Sequence, residues 1–231
     1  IKDNYCDPID YEVSRPLAAD KTVKGLYSGG SLAAEAGMLI AEALNLGGLI
    51  KEEGYILKTG GYEVVDLGDD VYTQGKPHPM IDPEVRIKKI LECAKDPQTG
   101  VILLDCMLGY GCHPDMAGAL APAIREAQEI AKADGRELYF VASVCGTRQD
   151  PQDYDRAVAE LKECGVLVEE SNARAIRLAL KLKGIDYKEN TRGHVEAAVD
   201  ETPLPEPDEK IMELLNTKPR VINVGVRSFN D

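Results

Sequence analysis

The chain has no tryptophan and only two phenylalanines in 231 residues, so its interior cannot be aromatic. With 44% hydrophobic content it is built instead on aliphatic and alanine side chains, the composition of parallel sheets covered by helices. Basic surplus is also lacking: 27 Lys and Arg stand against 40 Asp and Glu, a net charge of −13. That field opposes nonspecific binding to nucleic acid or to an anionic membrane. It leaves a small anionic substrate open, because backbone N–H groups at a helix start hold an oxyanion whatever the net charge.

The six cysteines form no CxxC pair and no dense framework, which reads as a reducing, cytoplasmic setting. Cys93, Cys106 and Cys164 fall in expected helices or strands and read as small core residues; Cys112 and Cys145 sit beside glycines at strand ends. No apolar run reaches the roughly 18 residues of a membrane span, and no signal peptide is visible. The chain begins at Ile1, and the expectation is that an amino-terminal domain or companion subunit belongs with it.

Motifs are missing too. There is no GxGxxG, no Walker Lys-Ser/Thr, no HExxH and no GxSxG, and His78, His113 and His194 are far apart, so no metal site is expected. What is present is alternation. Strand-like runs at Val23–Tyr27, Tyr62–Leu67, Val101–Leu108, Leu138–Val144 and Val166–Val168 alternate with helical stretches at Ser31–Leu46, Pro83–Lys95, Met116–Ala133, Asp153–Cys164 and Ser171–Lys183. Five strands and five helices with right-handed crossovers predict an α/β fold, a three-layer, doubly wound parallel sheet over residues 23–185. Residues 1–22 read as an arm, and 186–218 as a linker with a short helix near 208–216. Residues 219–231 read as a truncated terminal strand at Arg220–Val226.

Loops after the strands are the place for chemistry, since open α/β sheets bind ligands at their carboxyl edge. The turn Ser28-Gly29-Gly30-Ser31 reads either as an anion cradle or as a plain βα turn in which Ser31 caps the following helix. The seventeen residues from Asp66 to Asp82 are long for such a connection and contain Asp69, Asp70 and His78. In Gly109-Tyr110-Gly111-Cys112-His113-Pro114-Asp115 the glycines admit close backbone approach, and His113 with Asp115 is a candidate acid/base or orienting pair. Gly146-Thr147-Arg148 adds a glycine turn and a planar cation suited to phosphate or carboxylate. His113, His78 and Asp82 are therefore the catalytic candidates. Ser28, Gly29, Gly30, Ser31, Gly109, Gly111, Gly146, Thr147 and Arg148 are the anion-binding ones.

Four ordered segments carry a resemblance: Gly25–Ala36, Asp66–Asp70, His78–Pro83 and Val221–Phe229. They resemble the carboxyl-terminal part of the FdrA family, relatives of succinyl-CoA synthetase. The resemblance implies a flavodoxin-like succinyl-CoA-synthetase domain, acyl-CoA synthetase chemistry with CoA and nucleotide (ATP/ADP), and a homo- or hetero-oligomer completed by an amino-terminal CoA-binding-like part. It implies as an alternative a carbamoyltransferase subunit acting on oxamate and carbamoyl phosphate in allantoin breakdown, with Arg148 on an oxyanion. One departure stands out. Where the synthetases carry a phosphorylated histidine in a Gly-His-Ala-Gly type loop, this chain reads Cys145-Gly-Thr-Arg-Gln-Asp150, so the site is expected to bind its anion without a phosphohistidine. A non-catalytic ligand-sensing or assembly domain is the reading of another class.

Overall fold

The computed structural model describes residues 9–50, 52–187 and 207–218. The chain divides into two units, residues 1–189 and 190–231. In the first, the order is β1 (Thr22–Tyr27), α1 (Gly30–Leu44), β2 (Tyr55–Thr59), β3 (Tyr62–Asp66), α2 (Asp70–Thr73), α3 (Glu84–Lys95) and β4 (Thr99–Met107). It continues with α4 (Met116–Ala133), β5 (Tyr139–Cys145), α5 (Tyr154–Glu163), β6 (Val166–Glu169) and α6 (Asn172–Leu182). In the second, α7 (Glu209–Asn216) is capped by Asp208 and exposes Ile211, Leu214 and Leu215. The expected strand at Arg220–Val226, with its segment Val221–Phe229, lies outside the described residues, as do Cys6 and His194.

The sheet runs β2-β3-β1-β4-β5-β6, and every pairing is parallel except β2 with β3. Without β2 the order is that of flavodoxin-type folds, with the chain reversing direction across the sheet between β1 and β4. The expected all-parallel sheet thus gains an antiparallel edge. Tyr55–Thr59 is five residues long, and its turn Gly60-Gly61 has φ of +56° and +84°, the left-handed pair that a tight hairpin turn requires.

Strand β4 shows why the sheet is covered on both sides. Val101 and Leu103 pack with Tyr27, Ile40 and Ile176 under α1 and α6, whereas Ile102, Leu104 and Cys106 pack with Ile90, Ile124 and Phe140 under α3, α4 and α5. Residues alternate faces along a strand, so a strand covered on both sides reads as a continuous apolar run. Burial pushes the thiols of Cys93 and Cys106 up to about 12, so both are inert core groups. The arm from Ile9 lies along the end of α6: the Leu17 N–H donates to the Leu182 carbonyl at 2.9 Å, and Lys181 Nζ to that of Ile9 at 2.8 Å.

Candidate active site

The crossing point between β1 and β4 places two chain ends side by side: Ser28-Gly29-Gly30 leaving β1, and Leu108-Gly109 leaving β4. Helix α1 starts at Gly30 with Gly29 as its N-cap and without a side-chain cap. Ser31 therefore does not cap the helix as the sequence suggested; it lies exposed in the first turn, which holds no acidic residue. Gly30 and Ser31 are in the first turn of a 15-residue helix, whose N–H groups have no intrahelical partner and where backbone dipoles favour negative charge.

What fixes this turn is a buried charge pair. Ser28, Asp105 and Arg86 are all fully buried. The Ser28 N–H donates to the Asp105 carboxylate at 2.9 Å and its Oγ at 2.8 Å, while Arg86 Nη2 donates to Asp105 Oδ1 at 3.0 Å and to the Asp105 carbonyl. Both donors of Ser28 are thereby used on Asp105, so Ser28 positions the turn and has none left for a ligand. Arg86 Nε and Nη1 find no partner among the described residues.

The two His-Pro loops do come together, through Met80. Its N–H donates to His78 Nδ1 at 3.2 Å, and its carbonyl accepts from the His113 N–H at 2.7 Å. His113 Nδ1 likewise accepts from the Asp115 N–H at 3.0 Å. In each neutral imidazole the proton is thus assigned to Nε2. His78 Nε2 lies at Gly68: a Cβ placed on Gly68 would be 2.5 Å from it, 3.0 Å from the Ser28 carbonyl and 3.1 Å from Asp66 Oδ1. Asp66 completes the group. Its Oδ1 accepts from the Gly68 N–H, and its Oδ2 lies over Gly30, 2.7 Å from where a Cβ would stand. Partial burial holds the Asp66 carboxyl above the usual carboxylate range, opposed by the Gly68 hydrogen bond and by His78 and reinforced by Asp69 and Asp105.

The other candidates are drawn elsewhere. Asp82 Oδ1 accepts from the N–H of Glu84, the first residue of α3, in a local turn. Asp115 caps α4 through the Gly118 N–H and pairs with Arg156 at 2.6 Å, so its carboxylate does not orient His113. The Gly109 N–H and carbonyl are both bonded to the Gln152 amide, which takes that donor from any ligand; Gly111, with φ of +83°, is exposed. Gly146 packs on Leu108, and Thr147 gives its N–H and hydroxyl to Asp150. Arg148 makes a two-pronged pair with Asp155, 74% exposed, so its fork is already filled. Asp69 caps the short α2. Among the described residues no cluster of metal-ligating side chains occurs.

In the sequence Asp66 stands out only as the start of the long Asp66–Asp82 loop, and Arg86 and Asp105 are not singled out. Asp105 had a signal, a carboxylate inside the apolar run Val101–Leu108; Arg86 had none, because a basic residue in a charged helix reads as solvated.

On the other side of β1, the buried Tyr27 hydroxyl donates to Asn172 Oδ1 at 2.9 Å, and Asn172 Nδ2 donates to the Leu32 carbonyl and to Glu35. This ties the starts of α1 and α6 beside a cleft of about 360 Å³ that includes Ser143 and Cys145. Tyr27→Phe orphans a buried acceptor and is expected to lower stability by about 1–3 kcal/mol in denaturant unfolding; an unchanged midpoint would show that the bond contributes nothing.

A flavodoxin-type sheet with its chain reversal at the β1/β4 crossing defines the fold class. The family model for CoA-ligase matches residues 26–182, and the chain belongs to that family. YahF of Escherichia coli K12, itself uncharacterized, is 35% identical over 184 residues. The match covers 73% of this chain and 36% of YahF, so the chain spans little more than a third of that relative. Two solved structures are similar at 16% identity over 91% of this chain and 31% of theirs. They are ATP citrate lyase of Methanothrix soehngenii with citrate and coenzyme A, TM-score 0.43, and a D541A mutant of the Methanosaeta concilii enzyme with citryl-CoA, TM-score 0.42. Likenesses that loose do not bear on the chemistry of this site. No helix among the described residues is long and apolar enough to cross a membrane.

Proposed function

We propose that this chain is part of an acyl-CoA synthetase whose Gly29-Gly30-Ser31 turn holds a phosphate or carboxylate group of the substrate, without a phosphohistidine. The observation that carries the reading is the uncapped start of α1 at the sheet crossing, held in place by the buried Ser28–Asp105–Arg86 set. Membership in the CoA-ligase family supports CoA as the thiol partner. An FdrA-type protein, with nucleotide and with an amino-terminal part or companion subunit completing the site, is the finer form of the same proposal. It accords with a chain that spans about a third of YahF. Oxamate-linked carbamoyl transfer, the alternative that the resemblance implies, would place Arg148 on an oxyanion, and that guanidinium instead gives Nε and Nη2 to the Asp155 carboxylate. A pure scaffold is disfavoured by the convergence of His78, Asp66 and the glycine turn.

Titration of the chain with inorganic phosphate, followed by amide NMR, is expected to move Gly29, Gly30 and Ser31 first. Incubation with γ-labelled ATP is expected to leave no acid-labile phosphate on His78 or His113. Shifts confined to the Gly109–Gly111 or Gly146–Arg148 turns, or a phosphohistidine at either position, would overturn the reading.

A further inference from the structure

The cleft between the starts of α1 and α6 offers a different chemistry from the glycine turn. It measures about 360 Å³, within the range of small-molecule pockets, with Leu32 and Ala173 as apolar lining and Glu35, Glu170, Ser143 and Cys145 as polar groups. Its two helix starts are tied together by buried Asn172, which accepts from the Tyr27 hydroxyl at 2.9 Å and donates to Glu35 Oε2 at 2.8 Å and to the Leu32 carbonyl. The cleft is thus shaped before any ligand arrives.

Ser143 is the group that calls for a partner. It is 3% exposed, and it shares the α1/α6 face of β5 with Val141, since residues two apart on a strand point the same way. Its hydroxyl lines the cleft and makes no hydrogen bond among the described residues. A buried hydroxyl left so costs free energy that an incoming partner restores. The sign of the field selects that partner. None of the described residues lining the cleft is Lys or Arg and two are Glu, while the Asp105 and Asp150 carboxylates add to the burial that raises the Cys145 thiol. The start of α6 sets only a partial charge of roughly +0.5 against them. An anion is repelled there and a cation drawn in. The lining holds no aromatic ring either, so a cation has to be recognised through N–H donors rather than over a π face.

We propose that this cleft binds the primary ammonium end of a small organic cation, which donates N–H bonds to the Ser143 hydroxyl oxygen and the Glu35 carboxylate while its short carbon chain packs on Leu32 and Ala173. Binding is noncovalent, and it does not depend on an anion at the Gly29-Gly30-Ser31 turn. The ligand class is a primary amine, protonated near pH 7, on a chain of a few carbons.

n-Butylammonium is the probe, flanked by butyltrimethylammonium, which keeps the charge without an N–H, and by butyrate, which reverses the charge. In the full chain, butylammonium is expected to shift the amides of Ser143, Cys145 and Ala173 saturably and to slow alkylation of Cys145 by iodoacetamide. Butyltrimethylammonium is expected to bind about fivefold more weakly, and butyrate to give no response. Ser143→Ala removes only the hydroxyl; it is expected to lower butylammonium affinity about fivefold and to abolish its advantage over the trimethyl form. Glu35→Gln keeps an acceptor for Asn172 Nδ2 and is expected to weaken butylammonium about tenfold. Butyrate binding as tightly as butylammonium, an unchanged preference over the trimethyl form in Ser143→Ala, or no saturable shift at Ser143 and Ala173 with any probe would overturn the inference. None of these outcomes alters the phosphate response expected at the Gly29–Ser31 turn.

Discussion

Asp105→Ala is expected to lower the unfolding free energy by about 3–5 kcal/mol, because it leaves the Arg86 guanidinium buried without its counter-charge. Both groups have no exposed side-chain surface, so solvent cannot replace the missing partner. The two Ser28 donors lose their acceptor as well. At about 2–4 °C per kcal/mol for a domain of this size, the melting temperature should fall by about 10 °C. Arg86→Met should cost a similar amount, by stranding the carboxylate instead. The double variant Arg86→Met with Asp105→Asn removes both charges and retains an acceptor for Ser28, so it should lose clearly less than the sum of Arg86→Met and Asp105→Asn made singly. Additive losses in denaturant unfolding would show that the two charges act independently, and the buried pair would not be what holds the turn.

Ser31→Asp should separate stability from binding. Ser31 is exposed in the first turn of α1, and that turn holds no acid, so a carboxylate there should stabilise the helix by about 0.3–1 kcal/mol through the helix dipole. The same carboxylate takes the place of the ligand and repels it. Even with solvent screening, one added charge within about 4 Å of a bound oxyanion should weaken phosphate or sulfate binding by about tenfold or more. A variant as stable as the parent that no longer responds to phosphate would support the α1 start as the ligand position. Undiminished binding would move the ligand to another turn.

Legibility differed between fold and site. The alternation of apolar runs with helical stretches located all five parallel strands and the five long helices of the first unit to within a few residues, because two-sided burial writes itself as runs such as Val101–Leu104. The hairpin strand β2 escaped because Tyr55–Thr59 is short and buried on one side only in part. In the site, glycine turns were visible, but which of them keep free N–H groups was not. Gln152 reaches Gly109 across 43 residues, and Asp150 closes on Thr147 within three. Sequence spacing shows neither outcome, since a side chain that satisfies a turn can come from any neighbouring element.

The sequence by itself determined the α/β class, the strand-end loops as the place of the candidate site and the absence of a histidine in the Cys145–Asp150 loop, because periodicity, turn chemistry and residue identity are local properties. Only the tertiary structure decided that Arg148 pairs with Asp155, that Met80 joins the two His-Pro loops, and that Asp66 and Asp105 lie at one helix start, with the buried Arg86 guanidinium on Asp105. Those are distances between residues far apart in the chain, and charges act through space rather than along the sequence.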